Sequence, residues 1–231
     1  MLHAVSHIPE LASHLVTAQR LEELRGHRSS GLAEIDALLG GGWPRAALSE
    51  ITGRRSSGRT SVLLASLARA ARAGEAVALV DTGGALDPRA AAACGVPLPR
   101  LLWIRCAPAQ ALKAADLVVS AGGFDVLAVD LGDEQPRVPT AAWIRLKHGA
   151  ERQGTSVLVA TSARAVGAFA AAAVELGATT PRFLTDGPSL FDGARVKLDC
   201  RRRSGRSAAD TVYNDNEERA SCAWLAFTCP R

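Results

Sequence analysis

Lysine is nearly missing from this chain of 231 residues: only Lys113, Lys147 and Lys197 occur among 27 basic side chains. Aromatic residues are also scarce, at 4% of the sequence with a single tyrosine, which argues against a base-stacking platform for single-stranded nucleic acid. The five cysteines Cys94, Cys106, Cys200, Cys222 and Cys229 form no CxxC and no Cys/His metal spacing. Their odd number and scatter fit reduced thiols in the cytoplasm, mostly in the core, rather than a disulfide framework. No apolar run is long enough to span a membrane and no secretory leader is visible, so a cytoplasmic protein without membrane contact is expected. His3, His7 and His14 fall near helical spacing, but Pro9 interrupts them and no acidic or cysteine partner completes a metal site.

What is present is an ordinary globular balance. Hydrophobic residues make up 48% and charged residues 22%, with a formal net charge of +4. Such a mild basic excess permits an anionic partner without requiring one.

Residues 1–28 read as a separate helical segment, with Leu11, Leu15, Leu21 and Leu24 near helical spacing and Gly26 at its end. The remainder, 29–231, reads as one core domain. A short helix over 32–39 runs into Gly40-Gly41-Gly42 and a turn at Pro44, beside an exposed Trp43. The strand "ALSEIT" follows, then the Gly-rich stretch "GRRSSGRT" and the helix "TSVLLASLARAARAG". From there apolar strands alternate with helices: "AVALVD", a helix capped by Asp87, "LLWIRC", a helix, "FDVLAVD", a helix, and "TSVLVATS". Short continuous apolar strands separated by helices predict an α/β fold with a mainly parallel sheet, helices on both faces and right-handed crossovers. After residue 168 the segments "AAAAVELGA", "ARVKLDCRRR" and "CAWLAFTC" predict an antiparallel extension. Trp103, Trp143 and Trp224 lie in apolar patterns and are expected in the core.

Strand, Gly-rich loop and helix are the context of a phosphate-binding loop. In such a loop the glycines let the backbone wrap phosphates, a lysine places a compact charge on the β/γ oxygens, and a Ser/Thr holds Mg²⁺. Gly53, Ser57, Gly58, Thr60 and Ser61 fit, but Arg59 stands at the lysine position. Its planar guanidinium cannot serve as a compact point charge. A coding bias toward arginine would explain Arg59 alone. In "FDVLAVD", Asp130 ends an apolar strand like the carboxylate that orders Mg²⁺ in such sites.

Together with "SSGLAEIDALLGGGWP", "VDTGGALDP" and "ARVKLDC", these stretches resemble, in order, the core of the RecA family. The resemblance implies a RecA-like P-loop fold and a nucleotide site at Gly53–Ser61 with Asp130. It also locates what is lost. Gly83 stands where the family has a water-activating glutamate, and Ser162 where it has an ATP-sensing glutamine. The two loops that contact DNA are reduced to "GDEQPRVPT" and "ARAVGAFA", and the large C-terminal domain is missing. Coding bias does not replace a general base by glycine. The combination resembles the ImuA family, small RecA-like accessory proteins of damage-induced mutagenesis in bacteria. That resemblance implies a protein that is not an enzyme and takes no cofactor, with ATP and Mg²⁺ at most bound and not hydrolysed. It implies as partners ImuB, RecA and an error-prone DNA polymerase. A diverged DNA-stimulated ATPase and a nucleotide-binding regulator are the alternatives. Arg201, Arg202, Arg203 and Arg206 read either as a contact for single-stranded DNA or an acidic partner, or as a solvated strand end.

Overall fold

The computed structural model describes residues 26–134, 138–183, 191–202 and 222–228, with side chains omitted at 191, 192, 202 and 222–228. The N-terminal segment expected as a helix, with its three histidines, lies outside these residues up to residue 25. Immediately after it, β1 (His27–Arg28) pairs antiparallel with β2 (Trp43–Pro44).

Between them, α1 (Ala33–Leu39) is fixed by one carboxylate. Asp36 accepts hydrogen bonds from Ser29 Oγ (2.6 Å), from Ser30 N (2.7 Å) and from Ser30 Oγ (2.6 Å). The "SSGLAEID" motif is therefore a local clamp that turns the chain into the helix. Trp43 is not exposed, as its Gly-Pro setting suggested. It is 1% exposed and donates through Nε1 to Ser66 Oγ at 2.9 Å. The indole is large and apolar with one donor, so burial against a hydroxyl satisfies both ends.

The main sheet has eight strands. In chain order they are β3 (Leu48–Gly53), β4 (Val77–Asp81), β5 (Leu101–Arg105), β6 (Val126–Asp130), β7 (Ser156–Thr161), β8 (Ala170–Phe183), β9 (Phe191–Arg202) and β10 (Cys222–Thr228). Their spatial order is β10-β9-β8-β3-β7-β6-β4-β5. From β8 to β5 every pairing is parallel. Only β8–β9 and β9–β10 are antiparallel, so the expected extension begins with a strand that joins β3 in parallel and then turns back.

Strand residues alternate between two cores, as the two-residue pleat requires. One face carries Ile51, Leu79, Ala128, Leu158 and Val174 against α1 and α2 (Arg59–Arg72). The other carries Leu48, Val80, Val129, Val157 and Val159 against α4 (Ala111–Ala121) and α5 (Thr140–Gln153). A short α3 (Pro88–Ala93) lies between β4 and β5, and its cap is Asp87, which accepts from Arg89 N at 2.9 Å. Burial of both sheet faces accounts for the continuous apolar strands.

Trp143 is buried in the second core, while Trp103 is only half-buried on the edge strand β5, where Arg105 lies 5.2 Å from its ring. Trp224 has no described side chain. Of the described cysteines, Cys94 is exposed, against the core expectation, while Cys106 and Cys200 are half-buried and pack against the two cores. Burial, with the Asp81 carboxylate second, raises the Cys106 pKa.

Opposite the strand carboxyl ends, Arg28 is 6% exposed and ties β1 to the domain floor. It donates from Nε to Ser156 Oγ (3.3 Å), ion-pairs with Glu75 and lies 3.7 Å from Asp125. A buried guanidinium is stable only when its donors are engaged in this way.

Candidate functional site

The carboxyl ends of β3, β6 and β4 converge on one side of the sheet, where open α/β sheets place their ligands. The chain leaves β3 at Gly53. A side chain there would strike Ser57 Oγ and come within 2.9 Å of Leu176 Cβ, so the glycine lets the loop fold back against β8. Ser57 is buried, its N–H donates to the Arg54 carbonyl at 3.1 Å, and its hydroxyl has no hydrogen-bond partner. Gly58 leads into α2, whose first residues are Arg59, Thr60 and Ser61.

Thr60 and Asp130 come together across 70 residues: Thr60 Oγ1 donates to Asp130 Oδ2 at 3.3 Å. Asp130 Oδ1 accepts from Gly132 N at 2.9 Å. This hydroxyl–carboxylate pair, at the start of a helix behind a glycine loop, is the donor set that would hold Mg²⁺ beside a bound triphosphate. Burial raises the Asp130 pKa, and the neighbouring Asp81 adds to the rise; the Gly132 N–H, the Arg59 guanidinium and the Thr60 hydroxyl pull the other way. The carboxylate is held in a site that disfavours its charge, a condition that a cation would relieve.

Arg59 takes a different direction. Its side chain is 10% exposed, donates from Nη1 to the Gly132 carbonyl (2.8 Å) and from Nη2 to Asp133 Oδ1 (2.6 Å). The charge that a working loop directs onto phosphates is engaged by the segment after β6.

Gly83 lies exposed in the loop after β4. It has no left-handed φ, and the atom nearest to an added Cβ is 3.8 Å away. The backbone therefore does not demand glycine at this position. The loop around it is held by Asp81, which accepts from Ala85 N and Leu86 N, both at 3.2 Å, and from Trp103 Nε1 at 3.3 Å. Ser162 follows β7 and donates from Oγ to the Asp133 carbonyl at 3.2 Å.

Two residues here were invisible as site residues in the sequence. Asp133 read as one acid in a polar loop. Glu50, the one charged residue of its strand, carried no site reading in the sequence. Glu50 is fully buried and its Oε1 accepts from Ala165 N (2.6 Å) and Val166 N (2.8 Å), holding the loop after β7. A polar residue inside an otherwise buried strand was the one signal available for it.

Beside the phosphate loop, a cleft of about 530 Å³ opens among Thr52, Gly53, Arg54, Ser162, Arg164 and residues 175–178. Arg201 Nε donates to Glu175 Oε2 at 2.8 Å on the neighbouring strand. The Arg202 side chain, Arg203 and Arg206 lie outside the described residues. Among the described residues no group of three or more His, Cys, Asp or Glu is placed to hold a metal ion, and no helix is long and apolar enough to cross a membrane.

Comparison with known proteins gives the family and the fold. The RecA N-terminal domain family model aligns with residues 15–141. The RecA protein of Salinispora arenicola is 34% identical over 200 residues, which is 80% of this chain and 57% of that protein. The RecA protein of a Picosynechococcus species is 30% identical over 192 residues, 75% of this chain and 53% of the relative. A shorter alignment to RecA of Corynebacterium jeikeium reaches 45% over 104 residues, 44% of this chain and 28% of that one. The chain thus spans about half the length of the longer-matching curated relatives. The crystal structure of the RadB recombinase superposes with a TM-score of 0.59 at 17% identity, covering 78% of this chain and 91% of that one, which is a likeness of fold. On the strength of the family match, the chain belongs to the RecA N-terminal domain family.

Proposed function

We propose that this chain is a RecA-like accessory protein of error-prone translesion DNA synthesis, of the ImuA type, that works by protein contacts and does not turn over ATP. The observation that carries the reading is the direction of Arg59: its guanidinium is committed to Gly132 and Asp133 rather than to the loop's own cradle. Gly83 adds to it. With no carboxylate there, the proton acceptor for an attacking water is missing, a loss of about 10²–10⁴ in rate for general-base catalysis. The ImuA resemblance supplies the partners: ImuB, RecA and an error-prone polymerase in the damage-induced (SOS) response. A chain that keeps the RecA fold and sheds its chemistry is suited to join these proteins or to imitate a RecA protomer and alter the filament. Residues 1–28 are the proposed clasp.

The test is a pull-down of ImuB and RecA by the full chain and by a chain lacking residues 1–25, a cut that keeps β1 and the buried Arg28 in place. The reading expects at least one partner to be weakened by the deletion; equal capture of both by the two forms sinks the clasp.

One observation favours a second reading. The Thr60–Asp130 pair is in place at 3.3 Å. A protein that binds Mg·ATP as a signal without hydrolysing it would need that pair. Mg²⁺-dependent ATP binding lost on Asp130→Ala, with no phosphate released, would favour it; phosphate release stimulated by DNA would instead mark a diverged recombinase.

A further inference from the structure

We propose that Asp133 is the positioning residue that decides whether the 53–60 loop accepts a triphosphate, by occupying Arg59 as an internal anion. The inference rests on the reading above of a loop without turnover and names the residue that controls it.

The geometry is specific to an arginine. One guanidinium edge reaches two acceptors at once, the Gly132 carbonyl at 2.8 Å and Asp133 Oδ1 at 2.6 Å. A planar fork presents two parallel donors in fixed geometry; an ammonium offers its donors from a single nitrogen. Arg59 is 10% exposed and Asp133 46%, so the pair is covered on the arginine side and open to water on the carboxylate side. Gly132 makes the turn possible. With φ at 63° it presents its N–H to Asp130 Oδ1 and its carbonyl to Arg59.

Asp133 also joins the surrounding loops. Its second carboxylate oxygen lies 3.9 Å from Arg55 Nε, and its carbonyl accepts from Ser162 Oγ at 3.2 Å. Arg59, which it binds, and Arg55, which lies near it on a side chain 89% exposed, both come from the phosphate loop, and Ser162 comes from the loop after β7. A phosphate entering the 53–60 loop and the Asp133 carboxylate compete for the same guanidinium. The ligand's apparent affinity is its intrinsic affinity multiplied by the fraction of molecules in which Arg59 is free of Asp133. Displacing the Asp133 carboxylate frees Arg59, while the backbone carbonyl of Asp133 keeps its contact to Ser162.

The test is calorimetric titration of the full chain with ATP and Mg²⁺, for wild type, Asp133→Asn, Arg59→Ala and the double variant. Thermal melts establish that each is folded. Asp133→Asn is expected to bind about tenfold tighter than wild type, the change that a shift of about 1.4 kcal/mol produces. In the Arg59→Ala background the same substitution is expected to change affinity less than about twofold, because Asp133 acts through Arg59. A general repulsion between Asp133 and phosphate would persist there, so an equal gain in both backgrounds overturns the proposal. So does equal affinity, or no binding, in wild type and Asp133→Asn. The coupling between Asp133 and Arg59 in this cycle is the readout that a merely structural role of Asp133 would not move. Phosphate release is recorded in the same samples. Turnover by the wild type would sink the accessory-protein reading, while the affinity comparison would still decide the role of Asp133.

Discussion

Replacing Glu50 with alanine should release the loop after β7 and cost a measurable part of the fold's stability. The carboxylate is fully buried and one oxygen accepts two backbone N–H groups, from Ala165 at 2.6 Å and Val166 at 2.8 Å. Hydrogen bonds to a charged group contribute about 1.5–3 kcal/mol each, so the pair amounts to about 3–6 kcal/mol. Burying the carboxylate opposes this, and Arg164, 3.9 Å away on a side chain 55% exposed, offsets little of that cost. The net expectation for Glu50→Ala is a loss of about 2–4 kcal/mol, against a total of about 5–15 kcal/mol for a domain. Glu50→Gln keeps an acceptor oxygen and should lose roughly half as much. With a urea dependence of about 2–3 kcal/mol per molar, the alanine midpoint should fall by about 1 M. Hydrogen exchange locates the effect, because the Ala165 and Val166 amides should lose protection selectively. A midpoint lowered by less than about 0.3 M with both amides still protected would refute the assignment of Glu50 as the loop's anchor.

Three further outcomes follow from the same geometry. Burial raises the Asp130 pKa, so its contribution to stability is fully present below the unfolded carboxylate pKa and is lost as pH rises through the folded value. Asp130→Asn should therefore unfold at a higher temperature than wild type at pH 7, with the margin closing as pH falls toward about 4; a margin that grows on acidification contradicts the sign. Gly83→Glu meets nothing closer than 3.8 Å at its Cβ, so it should change stability by no more than about 0.5 kcal/mol. On its own it should not produce phosphate release, because Arg59 is still held by Asp133. Trp43→Phe removes the bond from Nε1 to Ser66 and some buried volume, and should cost about 1–3 kcal/mol in urea denaturation; a neutral result would mean the indole N–H is not held.

The α/β architecture was legible because it is written in local patterns. Apolar strands of five or six residues, a glycine loop between β3 and α2, and the Asp87 cap each depend on neighbours a few positions apart. Trp43 was misread for the same reason. Between Gly42 and Pro44 it looks like a turn residue, and its burial depends on Ser66, 23 positions away. The candidate site divides along that line. Gly53, Ser57, Gly58 and Thr60 announce the loop in one short stretch. The orientation of Arg59 is set by Asp133, 74 positions later, and nothing in either segment alone specifies it. Glu50 is the reverse case: a visible polar residue in a buried strand whose partners, the Ala165 and Val166 amides, lie 115 and 116 positions away. Of the arginine run, only the Arg201 side chain lies among the described residues, where it is half exposed and bonded to Glu175 on the neighbouring strand.

The most direct test of the account is phosphate release from Mg·ATP by the full chain with single-stranded DNA present, beside a RecA protein assayed under the same conditions. The account predicts release at the rate of the protein-free control, with and without DNA. Hydrolysis that DNA stimulates and Asp130→Ala abolishes would contradict it and would make this chain a working ATPase of the RecA family.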